Sequence, residues 1–62
     1  MGDIQDIIEF LKFVGVIKGN TVSYGGIAHY GESISIILGL PPEESTQLVL
    51  EYLIKNGYVM VK

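Results

Sequence analysis

Ile4, Ile7, Ile8, Leu11 and Val14 recur at intervals of three and four residues, with Asp6, Glu9 and Lys12 between them. That period predicts an amphipathic helix over residues 3–14. Asp3 is placed to cap it, and Asp6, three residues on, supplies the second carboxylate of a capping box. Phe10 and Phe13 fall outside the apolar stripe. They either cover a neighbouring loop or strand or form a partner surface. After turn-like residues 18–20, the stretch 21–24 alternates β-forming and polar residues and predicts a strand. Gly25-Gly26 interrupts it. Residues 27–30 then extend that strand, replace it, or join it as one kinked strand across the glycine pair. Ile34, Ile37 and Leu38 predict a short helix that starts at Glu32 or Ser33 and is ended by Gly39. Pro41, Pro42, Glu43 and Glu44 open a third helix, since proline suits a first turn and acids there complement the helix dipole. It runs to about Asn56, where Gly57 stops it. Residues 58–61 predict a final strand, with Tyr58 and Met60 on one face and Val59 and Val61 on the other.

One domain accounts for residues 1–62. A chain this short buries only about 60% of its unfolded surface, so its stability margin is thin. Cysteine is absent, so no disulfide or zinc knuckle staples the core, and a reducing, cytoplasmic setting is expected. No run of about 18 apolar residues crosses a membrane. Seven acids stand against four lysines and no arginine, for a net charge of −3. Phosphate neutralisation and base reading both lean on Lys and Arg, so nucleic acid is not an expected partner.

The third helix sharpens that exclusion. Thr46, Val49, Leu50, Leu53 and Ile54 cluster at helical spacing as its core face. The opposite side carries Glu44, Leu48, Glu51, Tyr52 and Lys55. A surface entering a DNA groove needs cationic and amide side chains, not two acids with a leucine and a tyrosine. Leu48 and Tyr52 lie four apart and form either an apolar centre for protein contact or a face covered by the domain's own strand.

The order helix, strand, short helix, Leu38-Gly39-Leu40-Pro41-Pro42 turn, long helix and strand resembles a winged-helix domain. It implies an α+β fold with a helix-turn-helix core of three helices and an incomplete β wing. In a complete wing a third strand lies between the first and second. Here no returning strand follows residue 61, so a slot is expected between residues 21–24 and 58–61. A borrowed strand would fill it by β-augmentation. Two alternatives stand beside this. The two strands could pair directly, or a second copy could supply the strand as a weak homodimer.

The approach Val22-Ser23-Tyr24-Gly25-Gly26 and the terminus Tyr58-Val59-Met60-Val61-Lys62 resemble the C-terminal "broken" winged helix of the archaeal ESCRT-III cell-division protein CdvB. In that family a peptide of the membrane-binding partner CdvA adds the missing strand and brings the filament protein to the membrane at the division site. The resemblance implies a CdvA-like partner, contact with the membrane only through it, Tyr58, Val59, Met60 and Val61 along the open edge, and Val22 and Tyr24 on the opposite edge. It also implies an excised fragment that docks but does not polymerise. A DNA-binding winged-helix regulator is the alternative function.

No catalytic function is expected. His29 has no carboxylate nearby beyond Glu32, the serines sit in no nucleophile elbow, and Gly25, Gly26 and Gly31 lack the lysine and spacing of a phosphate loop. No cofactor or metal is implied.

Overall fold

The computed structural model describes residues 2–62. Helix α1 (Ile4–Phe13) begins with the expected capping box. The Asp3 carboxylate accepts the N–H groups of Gln5 and Asp6 at 3.0 and 3.2 Å, and the Asp6 carboxylate accepts that of Asp3 at 3.1 Å. Two donors that a helix start leaves orphaned are thereby satisfied, along with the cap's own. Ile7, Ile8 and Leu11 are buried on its inner face.

Strands β1 (Ile17–Lys18) and β2 (Thr21–Ser23) pair antiparallel across the two-residue loop Gly19-Asn20. Gly19 takes φ 61° at the first loop position, the backbone that a tight hairpin needs and that glycine adopts without a Cβ penalty. Helix α2 (Tyr24–His29) follows without a break, so residues 27–30 are neither a second strand nor a kinked continuation. Ser23 caps this helix, its Oγ accepting the N–H of Gly26 at 3.1 Å. The glycine pair has a packing reason. A Cβ on Gly26 would stand 2.8 Å from Val16 Cγ2, so only glycine lets α2 settle onto the buried residues ahead of β1. Gly26→Ala is accordingly expected to cost about 1–3 kcal/mol by overpacking. A lowered urea midpoint checks this, with Gly25→Ala, which meets no atom within 4 Å, as the comparison.

Helix α3 (Gly31–Leu38) starts one or two residues before the expected Glu32 or Ser33, with Tyr30 as the joint between it and α2. The described helices therefore number four, not three. Gly39 closes α3 in the left-handed conformation, φ 72°. The hydroxyls of Ser35 and Ser45 both donate to the Leu40 carbonyl, fixing the turn that precedes α4 (Pro42–Lys55). Helix α4 buries Ser45, Val49 and Leu53, residues at i, i+4 and i+8. Its core stripe is thus rotated from the expected one. Thr46 and Leu50 are only half-buried, and Ile54 is 60% exposed. Small, satisfied Ser45 takes the buried place beside the turn, and Ile54, nine residues on and so on the opposite side of the helix, faces outward.

Gly57 (φ 86°) turns the chain into strand β3 (Val59–Val61). The sheet order is β1-β2-β3, with β3 parallel to β2: Thr21 faces Val59, Val22 faces Met60 and Ser23 faces Val61. This corrects the expected slot between the first and last strands. Two strands that would each run antiparallel to a middle strand run parallel to each other, and here they close up and pair directly. Val22 has ladder partners on both sides and is fully buried, so it is no edge residue. Tyr24 lies in the first turn of α2 rather than on a strand. The whole is a small α+β domain compatible with a winged-helix-like arrangement. Its core runs through Ile7, Leu11, Val22, Ile27, Ile34 and Leu53. No helix among the described residues is long and apolar enough to cross a membrane.

Candidate protein interface

Strand β3 lies at an edge of the sheet. Its backbone polarity follows from one bond: the N–H of Val59 donates to the Asn20 carbonyl at 2.8 Å. In a parallel ladder alternate residues turn both backbone groups to the same neighbour, so Val59 and Val61 face β2. Met60 therefore turns its N–H and C=O outward, as do the Lys62 N–H and the Tyr58 C=O. The Tyr58 N–H is already spent on the Leu53 carbonyl at 2.9 Å. An edge with unpaired donors and acceptors is a template for another strand.

Side chains sort by the same alternation. Tyr58 and Met60 pack against the core, and Val59 and Val61 point outward, 51% and 42% exposed. The four residues expected along the open edge are thus contiguous on it, but the free edge is the outer one. Val22 and Tyr24 do not join them. Proline at Val59 would break the domain's own ladder to Asn20, whereas Met60 and Lys62 carry the outward N–H groups. Which of two alternating sets faces away depends on how β3 docks on β2, so period-two reasoning on the strand alone does not identify Met60 as the edge donor.

Helix α4 divides the other expected pair. The Tyr52 side chain packs on the core and its hydroxyl accepts a bond from Gln5 Nε2 of α1 at 2.8 Å. It is a half-buried interhelical contact turned toward α1, not part of an exposed pair with Leu48. Leu48 is 45% exposed in an open cavity of about 470 Å³ lined also by Glu43, Glu44, Gln47 and Glu51. The outer face of α4 is therefore acidic along its first three turns. Phosphates approaching it would meet three carboxylates.

The aromatic residues of α1 also separate. Phe10 meets Tyr30 edge-on, with ring centroids 5.4 Å apart, and Tyr30 meets His29 in the same way at 4.9 Å. Phe10 thus covers the α2–α3 joint, and His29 is part of an aromatic contact. Phe13 stays 89% exposed, and Ile36 on α3 is 81% exposed. Ile36 was not singled out as a surface residue, although the helical period sets it opposite the stripe of Ile34, Ile37 and Leu38. No group of acidic, His or Cys side chains able to hold a metal ion occurs among the described residues.

Comparison with known proteins finds a relative in a virus. "Uncharacterized protein 69" of Sulfolobus islandicus filamentous virus (isolate Iceland/Hveragerdi) is 70% identical over 61 residues, covering 98% of this chain and 98% of that protein. No family model matches the chain. No solved structure matches it.

Proposed function

The chain belongs to the family of that viral protein. We propose, from the geometry of its sheet, that it is a winged-helix docking module that accepts a peptide strand along the outer edge of β3. The observation that carries the reading is the outward-facing Met60 backbone, flanked by the exposed side chains of Val59 and Val61. An added strand gains main-chain bonds from Tyr58, Met60 and Lys62. It gains selectivity from the two valines, which favour a partner with a matching apolar alternation. The acidic outer face of α4 supports protein over nucleic acid as the ligand, because affinity for nucleic acid grows with the number of phosphates neutralised by cations.

The partner proposed is an extended segment of a membrane-associated, CdvA-like cell-division protein, which would bring the module to the membrane at the division site. The resemblance of residues 22–26 and 58–62 to the ESCRT-III docking domain supports this assignment. The domain's geometry changes its mechanism: the borrowed strand widens the sheet at its open β3 edge instead of filling a gap between two strands.

The test is a calorimetric titration of the domain with a synthetic strand peptide from a CdvA-like protein. A chain of this length is accessible to chemical synthesis, so the Met60 amide can be N-methylated without altering any side chain. One-to-one binding that the methyl group abolishes is the expected result. Equal affinity in the methylated domain overturns strand addition. Duplex DNA at low salt is expected to give no mobility shift; tight, salt-sensitive binding would move the assignment to a regulator.

A further inference from the structure

We infer that the free domain pairs with a second copy of itself across the β3 edge, and that partner capture displaces this homodimer; the displacement, though not the pairing, rests on the docking function proposed above. The residue order around the edge is symmetric. Val59-Met60-Val61 reads the same in both directions, and its centre is the residue whose N–H and C=O both face outward.

An antiparallel pairing with its twofold axis at Met60 therefore satisfies itself. Each Met60 N–H donates to the Met60 carbonyl of the other copy. Each Lys62 N–H donates to the opposing Tyr58 carbonyl, and that carbonyl is free because Tyr58 spends only its N–H inside the domain. On the outer face Val59 of one copy stands opposite Val61 of the other, twice. Such β-branched cross-strand pairs stabilise a sheet, and they cover the side chains left 51% and 42% exposed in the single domain. A register displaced toward the turn would set Val61 against Gly57 and lose that contact. An interface of this kind is isologous and closes at two copies, so it does not propagate into a fibre.

Charge permits the arrangement. Lys62 faces Tyr58, not the other Lys62. The two lysines lie about 14 Å apart along the strands at roughly 3.4 Å per residue, beyond the screening length of about 8–10 Å at physiological salt. Area limits its strength. A stable interface covers about 800 Å² per partner, which would be about a fifth of this chain's 4106 Å². A strand edge of five residues covers much less, so the pair is weak and concentration-dependent. That weakness suits a reversible cap, which shields an aggregation-prone edge until a better strand arrives.

Sedimentation equilibrium over a wide concentration range tests the pairing, with circular dichroism as the check on folding. The expected result is a monomer–dimer equilibrium that Val61→Lys weakens by about tenfold or more, because a charge on each exposed edge opposes strand pairing. Lys62→Pro, which removes an edge N–H and no buried side chain, is expected to act in the same direction. A wild-type chain that stays monomeric throughout, or a dimer that neither substitution weakens, overturns the self-pairing. The CdvA-like strand peptide then separates the two proposals. Peptide bound by a wild-type chain that, without peptide, stays monomeric at every concentration refutes the homodimer and leaves docking standing. A dimer at the Met60 edge with no affinity for the peptide refutes docking and leaves the homodimer standing. Peptide that binds without dissociating the dimer overturns the displacement.

Discussion

Val22→Asp is expected to unfold the domain rather than weaken a partner contact. Val22 sits in the central strand, between Ile17 of β1 and Met60 of β3, with no exposed surface. A carboxylate there has no cation and no free donor beside it, because the neighbouring backbone groups are used in the two ladders. Burying an unpaired charged or polar group costs several kcal/mol. A domain of 62 residues has a total stability of about 3–9 kcal/mol at 0.05–0.15 kcal/mol per residue. The substitution consumes most or all of that. Far-ultraviolet circular dichroism should show loss of the helical signal, and amide resonances should collapse to the narrow dispersion of an unfolded chain. A folded Val22→Asp domain that merely fails to bind peptide would return Val22 to the edge, where the resemblance had placed it. Val61→Asp, on an outward-facing position of the same sheet, is the control and is expected to remain folded.

Leu53→Ala is expected to remove about 2–5 kcal/mol, the range for deleting a buried leucine side chain. Leu53 is fully buried at the centre of the last two turns of α4. Its carbonyl also accepts the Tyr58 N–H at 2.9 Å and the Asn56 N–H at 3.2 Å, so the residue that fills the core is also the one that sets β3 on its course. In a domain of this size each kcal/mol moves the melting temperature by roughly 4–8 °C. A loss near 3 kcal/mol therefore lowers it by roughly 12–24 °C. Leu48→Ala, in the open cavity on the other side of the same helix, should change stability by no more than about 0.5 kcal/mol. Similar losses for the two leucines would contradict the burial pattern of α4.

The elements that could be read from the chain are those whose local signals agree with the tertiary packing. Helix α1 has both a period and a capping box, and its bounds follow from them. The end of α4 and the start of β3 follow from Asn56-Gly57, because Gly57 takes a positive φ that stops the helix. Helix α2 could not be read, since Tyr24-Gly25-Gly26 carries two residues that each disfavour a helix by about 1 kcal/mol. The Ser23 cap, a local signal, and the close seat on Val16, a tertiary one, together override that preference. Strand β1 is two residues long, too short for any alternation to register. The rotation of α4 was hidden because Ile54, an apolar residue, is the one left outside, while Ser45 is buried with its hydroxyl bonded to Leu40.

The same division holds at the interface. Tyr58, Val59, Met60 and Val61 were legible as an edge, because a short strand after a helix stop has few neighbours to pair with. The direct pairing of β3 with β2 was not legible. It is a choice between two arrangements of the same strands, decided by how closely the end of α4 brings β3 to β2. That choice removes Val22 and Tyr24 from the interface and moves the free hydrogen-bonding groups to the outer side of Met60. Tyr52 leaves as well, because Gln5 of α1 holds its hydroxyl.

Amide hydrogen exchange, resolved residue by residue at concentrations dilute enough to keep the domain monomeric, tests the free β3 edge most directly. Val59 and Val61 should exchange slowly, their N–H groups turned toward β2, while Met60 and Lys62 exchange rapidly. Addition of the CdvA-like strand peptide should slow Met60 and Lys62 and leave the amides of Glu44, Leu48 and Glu51 unchanged. A Met60 amide already protected in the dilute monomer, or one that stays fast with the peptide bound, would contradict the edge as the docking site.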